Sequence, residues 1–390
     1  MLGRGAKFLA GVGVVGVMLA ACLPAWAQQY VHRLVARMPY IAPVIGLSAS
    51  GDYWYSGGQG SLYDGFDLYV NGVNYTEALF PGLRWAGKAY VRADRSVVWM
   101  ASWYEGEAYY GHTFVNQSNY SAPLYGSDAY VAYEANDRGD IAAHVHRRVG
   151  NASHTDIWLA TRNVTEPVLG PYPRNPDEIL PVRLLEDGSL FWGGRSPVTQ
   201  NQWDWFRDDV NLTKDVLGPN RSAWRSTTSL AVNSSGQYAF EGMGSLTGLR
   251  WNVFVGQENY SSRVLGPGPH EAWLGGISEN GSVAWWGHRL GEPASVYRDD
   301  VNLSQFLGPD RITRWDSFIS RQGDVAWSGA VRDGGDYDVY VNQANISADL
   351  LGPGRSATQH PGGSRMRDFP SGSDGGRSCR TVRYSSVVPI

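Results

Sequence analysis

The chain has 390 residues, a formal net charge of −4, 18% charged and 13% aromatic side chains, 48 glycines and two cysteines. Mild acidity without a basic run or stripe excludes a nucleic-acid surface. Cys22 in the leader and Cys379 in the tail exclude a disulfide or a cysteine zinc site within the body, and strand formers with glycine punctuation point to an all-β protein.

Residues 1–27 read as a bacterial signal peptide. Arg4 and Lys7 make a positive start, and Phe8 to Leu23 form an apolar stretch of 16 residues. Pro24 breaks it, and Ala25-Trp26-Ala27 supplies the small-x-small cleavage pattern before Gln28. Sixteen residues are short for a membrane span, and no similar stretch recurs. The alternative is a lipobox, Leu19-Ala20-Ala21-Cys22, in which Cys22 would be lipidated. Both readings place the protein outside the cytoplasm, secreted or periplasmic. Loss of Arg4 and Lys7 with the leader takes the charge from −4 to −6.

From residue 28 to 355 one frame recurs seven times. An aromatic opens it: Tyr69, Phe114, Trp158, Phe206, Phe254, Tyr297 and Tyr340. Five residues later stands an asparagine: Asn74, Asn119, Asn163, Asn211, Asn259, Asn302 and Asn345. Two further on stands a hydroxyl: Thr76, Ser121, Thr165, Thr213, Ser261, Ser304 and Ser347. The asparagines are 45, 44, 48, 48, 43 and 43 residues apart, so the unit is one supersecondary element. Upstream lies a second marker, at Trp54, Trp99, Trp192, Phe240, Trp285 and Trp327, with Ala143 as the departure. Each unit reads as four short strands: a mixed strand A, a Gly turn to strand B, a longer loop to strand C, and an Asn turn to strand D, as at Ala348 to Leu351. One four-stranded sheet of this size exposes both faces and has to stack on its neighbours. The expected fold is therefore a seven-bladed β-propeller of four-stranded antiparallel blades, monomeric, in one domain.

Asn280-Gly281-Ser282-Val283-Ala284-Trp285 and Asp338-Val339-Tyr340-Val341, followed by Leu350-Leu351-Gly352-Pro353, carry a resemblance to the TolB-like family of bacterial propeller repeats. That family's motif runs Asp-Gly-x-x-Ile-Ala-Phe, then Asp-Ile-Tyr-Val, then Asn and Leu-Thr. The resemblance covers about residues 30 to 353 and implies the fold alone. Tyr30 to Gly51 also align without a gap on Asn302 to Gly323, so Val31 to Ala36 reads as a D-like strand able to pair with the last unit. The last unit has a D segment of its own, and the sequence leaves open which closes the ring. After Gly354 the pattern stops. Residues 356–390, rich in Gly, Ser, Arg and Pro, read as a disordered tail, authentic or frameshifted.

Candidate chemistry is sparse. His144 and His146 lie two apart on strand B and share a face, with His154 nearby. Such imidazoles can bind zinc or copper, but no carboxylate recurs beside them, and packing histidines are the expected reading. Ser278-Glu279-Asn280-Gly281 and Ser320-Arg321-Gln322-Gly323 are similar to a sialidase Asp-box without its Asp, and read as A–B turns. Asp208-Asp209, Asp299-Asp300 and Glu105/Glu107 would suit acid–base pairs, yet the Asp pairs fall at a C–D turn. Asn-x-Ser/Thr matches a glycosylation sequon, but its fixed place in every unit assigns it to local hydrogen bonding. No catalytic residue, metal site or cofactor is assigned.

The B–C loops vary and carry aromatics: Tyr63 with Asp64 in unit 1, Trp103, Tyr104, Tyr109 and Tyr110 in unit 2, and Gln202 with Trp203 in unit 4. Two readings of these rings stand. They either stack on a ligand or cover loop interiors. The expected ligand face is Tyr63, Trp103, Tyr104, Tyr109 and Trp203, binding a protein or carbohydrate. The alternatives are a propeller glycosidase or polysaccharide lyase, and a purely structural cell-surface protein.

Overall fold

The computed structural model describes residues 40–351, apart from 48–50, 59–64, 78, 80–83, 106–107, 128, 150–151, 172, 196–202, 220, 224–228, 314–316 and 332–336. The expected leader with Cys22, the segment Val31 to Ala36, and the expected tail with Cys379 lie outside the described residues. Among those described, no helix is long and apolar enough to cross a membrane.

The protein is mostly β, built from four-stranded antiparallel sheets in sequence order. Unit 1 runs Tyr40–Leu47, Tyr53–Gly58, Asp67–Val70 and Val73–Asn74, each strand paired with the next. The other repeats follow the same A–B–C–D order. In units 5 and 7 strand A is split in two, and units 2 and 3 share one eight-stranded sheet through a parallel pair, Gly111 with Tyr130.

The strand B marker and the strand C aromatic face one another across the ladder and stack. Trp99–Phe114, Trp192–Phe206, Phe240–Phe254, Trp285–Tyr297 and Trp327–Tyr340 have ring centroids 4.7, 4.3, 5.0, 4.1 and 4.5 Å apart. In four units the indole N–H also donates to the carbonyl of the first C–D turn residue: Asn116, Asp208, Asp299 and Asn342. A buried Trp needs such an acceptor, and the frame supplies one. Unit 3 shows how the departure is tolerated. Ala143 stands opposite Trp158, and Tyr125 from unit 2 donates its hydroxyl to Ala160 O at 2.7 Å, replacing the missing indole bond.

Two expectations are corrected. In unit 1 the residue facing Tyr69 is Tyr55, stacked on it at 5.0 Å, not Trp54, which pairs with Val70. Strand D is not the segment after the asparagine. It is two residues long and ends on the asparagine itself, as in Val301–Asn302 and Ala344–Asn345. The chain then enters a short helix in most units, as at Ala122–Tyr125, Glu166–Leu169, Lys214–Leu217 and Ile346–Leu351. The cause is local. Each asparagine Oδ1 accepts a backbone N–H two or three residues on, satisfying donors that a helix start leaves orphaned.

The core lies between sheets rather than in one centre. Leu68 and Val70 of unit 1 pack on Trp99 and Phe114 of unit 2, and Ala142 and Ile157 of unit 3 on Trp192 and Phe206 of unit 4. Likewise Ala239 and Val253 of unit 5 pack on Trp285 and Tyr297, and Ala284 and Val296 of unit 6 on Trp327 and Tyr340. At these seams the aromatic pair faces the preceding unit, and the residue just before it in each strand faces the following one.

Candidate functional site

The polar groups that recur in every unit are consumed by the framework. The hydroxyl after each asparagine is buried. In four units it donates to the residue two before the strand C aromatic: Thr76 to Asp67, Thr165 to Asp156, Thr213 to Asp204 and Ser261 to Asn252. From the far side an arginine closes the latch. Arg174 reaches Asp156 at 2.8 Å, Arg221 grips Asp204 through Nε at 2.7 Å and Nη2 at 3.0 Å, and Arg311 reaches Ser295 at 2.6 Å. His270 takes this place in unit 5, with Nε2 2.7 Å from Asn252 Oδ1. Sequence reasoning missed the latch, although Gly218-Pro219-Asn220-Arg221 and Gly308-Pro309-Asp310-Arg311 show its signal. Asp156, Arg174, Asp204, Asn252, His270 and Ser295 are buried, and all the latch groups are paired with one another, so they are structural.

The carboxylate pairs are turns. Asp208 and Asp299 are the first turn residues, with φ of 51° and 55°, and their Oδ1 atoms accept the N–H of Leu190 and Val283. Asp209 and Asp300 are exposed neighbours, and Glu107 lies outside the described residues. The Asp-box-like segments are A–B turns as well: Ser278 and Ser320 each bond the residue four on, and Gly281 and Gly323 adopt positive φ.

His144 and His146 share a face, but no cluster of three or more His, Cys, Asp or Glu able to hold a metal occurs among the described residues. His146 Nδ1 is engaged by the Thr155 hydroxyl at 2.8 Å. His144 Nε2 is buried without a partner, and burial pulls its imidazole down to about 4, so it is neutral at physiological pH.

The expected ligand rings fare differently from one another. Tyr63, with Asp64 and Gln202, falls outside the described residues. Trp203 is corrected: it is 4% exposed and part of the core between units 4 and 5. The reason is Gly193, opposite Trp205. A Cβ there would lie 2.3 Å from the Trp205 ring and 2.7 Å from that of Trp203, so the glycine makes room for both indoles.

What stays available is the B–C hairpin of unit 2. Strand B runs Val97–Glu105 and strand C Ala108–Val115, six residues past the Trp99 marker, as in unit 3 past Ala143, and against three in units 4 and 5. At about 3.3 Å per residue it projects about 10 Å beyond those frames. Alternation splits its rings between two faces. Trp103 is half-buried and stacks with Tyr110 at 5.8 Å, tilting against His112 at 5.4 Å. Tyr104 points the other way, 53% exposed, with its ring edge-on to Trp85 at 5.7 Å. Tyr109 pairs directly with Tyr104 across the hairpin. On this second face Gly111 lets the Tyr130 ring of unit 3 lie across the sheet, where a Cβ would come within 2.2 Å of it. The sequence named Trp103 and Tyr104 together; the structure separates them, and Trp85 and Tyr130 join Tyr104 in their place.

A second concavity of about 270 Å³ lies between units 5 and 6, lined by Thr247, Gly248, Arg250, Gly268, Pro269 and His270. Its cation is committed, since Arg250 pairs with Glu271 at 3.6 Å.

No protein-family model and no curated protein sequence matches the chain. Among solved structures it is similar to a prolyl endopeptidase, at 10% identity and a TM-score of 0.40, over 77% of this chain and 49% of that one. It is similar to prolyl oligopeptidase B from Galerina marginata, bound to a 25mer macrocyclization substrate, at 9% and 0.40 over 78% and 52%. It is also similar to the extracellular domain of a hybrid two component system from B. thetaiotaomicron, at 10% and 0.31 over 83% and 43%. The chain spans about half the length of each. Likeness this distant bears on neither activity nor ligand.

Proposed function

We propose that this chain is an exported, seven-bladed β-propeller that serves as a binding or scaffolding module in the bacterial envelope or outside the cell. Seven copies of the frame, with the aromatic pairs of units 2, 4, 5, 6 and 7 packed on the unit before, support the blade count, and the TolB-like motif supports the class. Export rests on the leader. The ligand is a protein segment or a carbohydrate, held at the unit 2 hairpin.

One observation carries the binding reading. The recurring polar groups are locked in latches, caps and turns, while Tyr104 projects half-exposed beside Trp85 on a hairpin longer than the frame requires. A flat, half-exposed ring with few rotamers suits stacking against a sugar face or an apolar peptide side chain. The test is capture of soluble polysaccharides and of envelope proteins by the immobilised chain and by Tyr104→Ala. A loss of at least about tenfold is expected, with the melting temperature unchanged. Equal capture by both proteins removes the hairpin from the account, and release of reducing ends from a polysaccharide establishes the glycosidase or lyase reading instead.

A further inference from the structure

The outer faces of the units are not equally covered. The strand C residue just before the aromatic is Leu68, Thr113, Ile157, Trp205, Val253 and Val296 in units 1–6, each 0% exposed. Its counterpart in unit 7, Val339, is 38% exposed. Its strand B neighbours agree. Val98, Ala142, Phe191, Ala239 and Ala284 are 0% exposed in units 2–6, whereas Ala326 is only half-buried, and Phe318 opposite it is 54% exposed. The face that every other unit buries under its successor is accessible in unit 7.

We propose that this face is the docking surface for strand A of unit 1, Tyr40–Leu47, so that the ring closes by sheet-on-sheet packing and without exchange of a strand. The proposal rests on the seven-unit reading. In the interior seams such a face receives strand A of the next unit, and Tyr40–Leu47 is the one strand A in the repeat array without a preceding unit. Its sequence, Tyr-Ile-Ala-Pro-Val-Ile-Gly-Leu, is apolar, as the partner of Val339 and Phe318 has to be. Unit 7 is complete in itself. It has its own strand D, Ala344–Asn345, and its own helix, Ile346–Leu351, with the Ser347 hydroxyl accepting the Val339 N–H at 2.8 Å. Val31 to Ala36 is therefore not needed to finish it.

The interior seams give the register. At the seam between units 6 and 7, a Cβ on Gly276 would lie 3.1 Å from Ile319 Cγ2. Gly276 and Phe318 hold one ladder position, opposite the residue before the marker, and Ile319 and Leu47 hold another, two residues before it. Phe318 thus meets Leu47. Between units 5 and 6 the same two positions are Ala231 and Ile277, which pack on one cluster.

The experiment is a cysteine cross-link in the full chain with Cys22 and Cys379 replaced by serine. Phe318→Cys with Leu47→Cys is oxidised at micromolar concentration, beside Ala231→Cys with Ile277→Cys as an interior control that sets the yield expected of two positions packed across a seam. The expected product is a monomer in which peptide mapping finds the 47–318 disulfide in yield comparable to the control. Intermolecular dimers and ladders show that a second copy takes the face, and free thiols beside a cross-linked control show that nothing does; either overturns the proposal. Ligand capture is read separately through Tyr104, so failure of the seam and failure of the binding reading give different results.

Discussion

Replacing Glu241 with glutamine is expected to stabilise the protein at neutral pH and to remove part of its pH dependence. Glu241 follows Phe240 on strand B of unit 5, is 6% exposed, and accepts the Leu274 N–H of unit 6 at 2.5 Å. Burial is the largest influence and pushes its carboxyl up from 4.5 to about 7, against the opposing pull of the Leu274 N–H and the Ser229 hydroxyl. A folded value above the unfolded one means that the native chain binds the proton more tightly. This group's stabilisation is therefore complete below about 4.5 and is lost as the pH rises through about 7. The interval is worth about 3 kcal/mol at 1.36 kcal/mol per pH unit. Glutamine keeps the acceptor for Leu274 and carries no charge. Urea midpoints from pH 4.5 to 8.5 measure the effect: wild type is expected to lose about 3 kcal/mol relative to Glu241→Gln across that range. Parallel curves for the two proteins, or a wild type that gains on the variant towards high pH, would refute the reasoning.

Trp203→Ala is expected to cost about 3–5 kcal/mol in a denaturant titration, because it empties a buried apolar seam in which Gly193 leaves room for two indoles. Arg221→Ala leaves the Asp204 carboxylate buried and unpaired, and a loss of about 3–5 kcal/mol is expected by the same measurement, with Arg221→Lys intermediate. Gly111→Ala drives a methyl into the Tyr130 ring, so near-ultraviolet circular dichroism of the aromatics is expected to change together with a lower melting temperature.

Much of this architecture could be read from the residues, because the same packing problem is solved repeatedly with the same side chains. The stacked aromatic pair, the asparagine and its hydroxyl each do one physical task per unit, so their spacing exposes the strands. The errors arose where one residue type serves two geometries. An asparagine before a hydroxyl reads as a turn, and here the turn lies three residues upstream, at positive-φ residues such as Asn116 and Asp299, while the asparagine starts a helix. In Tyr53-Trp54-Tyr55 three aromatics in a row hide a one-residue shift of register, which moves every side chain to the other face. Trp203 follows a polar stretch and looks exposed. Its burial depends on Gly193 in the neighbouring strand, a contact that no local pattern announces. Arg221 and Arg311 were legible as Gly-Pro-x-Arg, but their role appears only when Asp204 and Arg221 meet.

A crystallographic map of the full chain tests the whole account most directly. Seven four-stranded sheets around a common axis, with Val339 covered by Tyr40–Leu47, are the predicted result. An open stack, two lobes or any other number of sheets would contradict it.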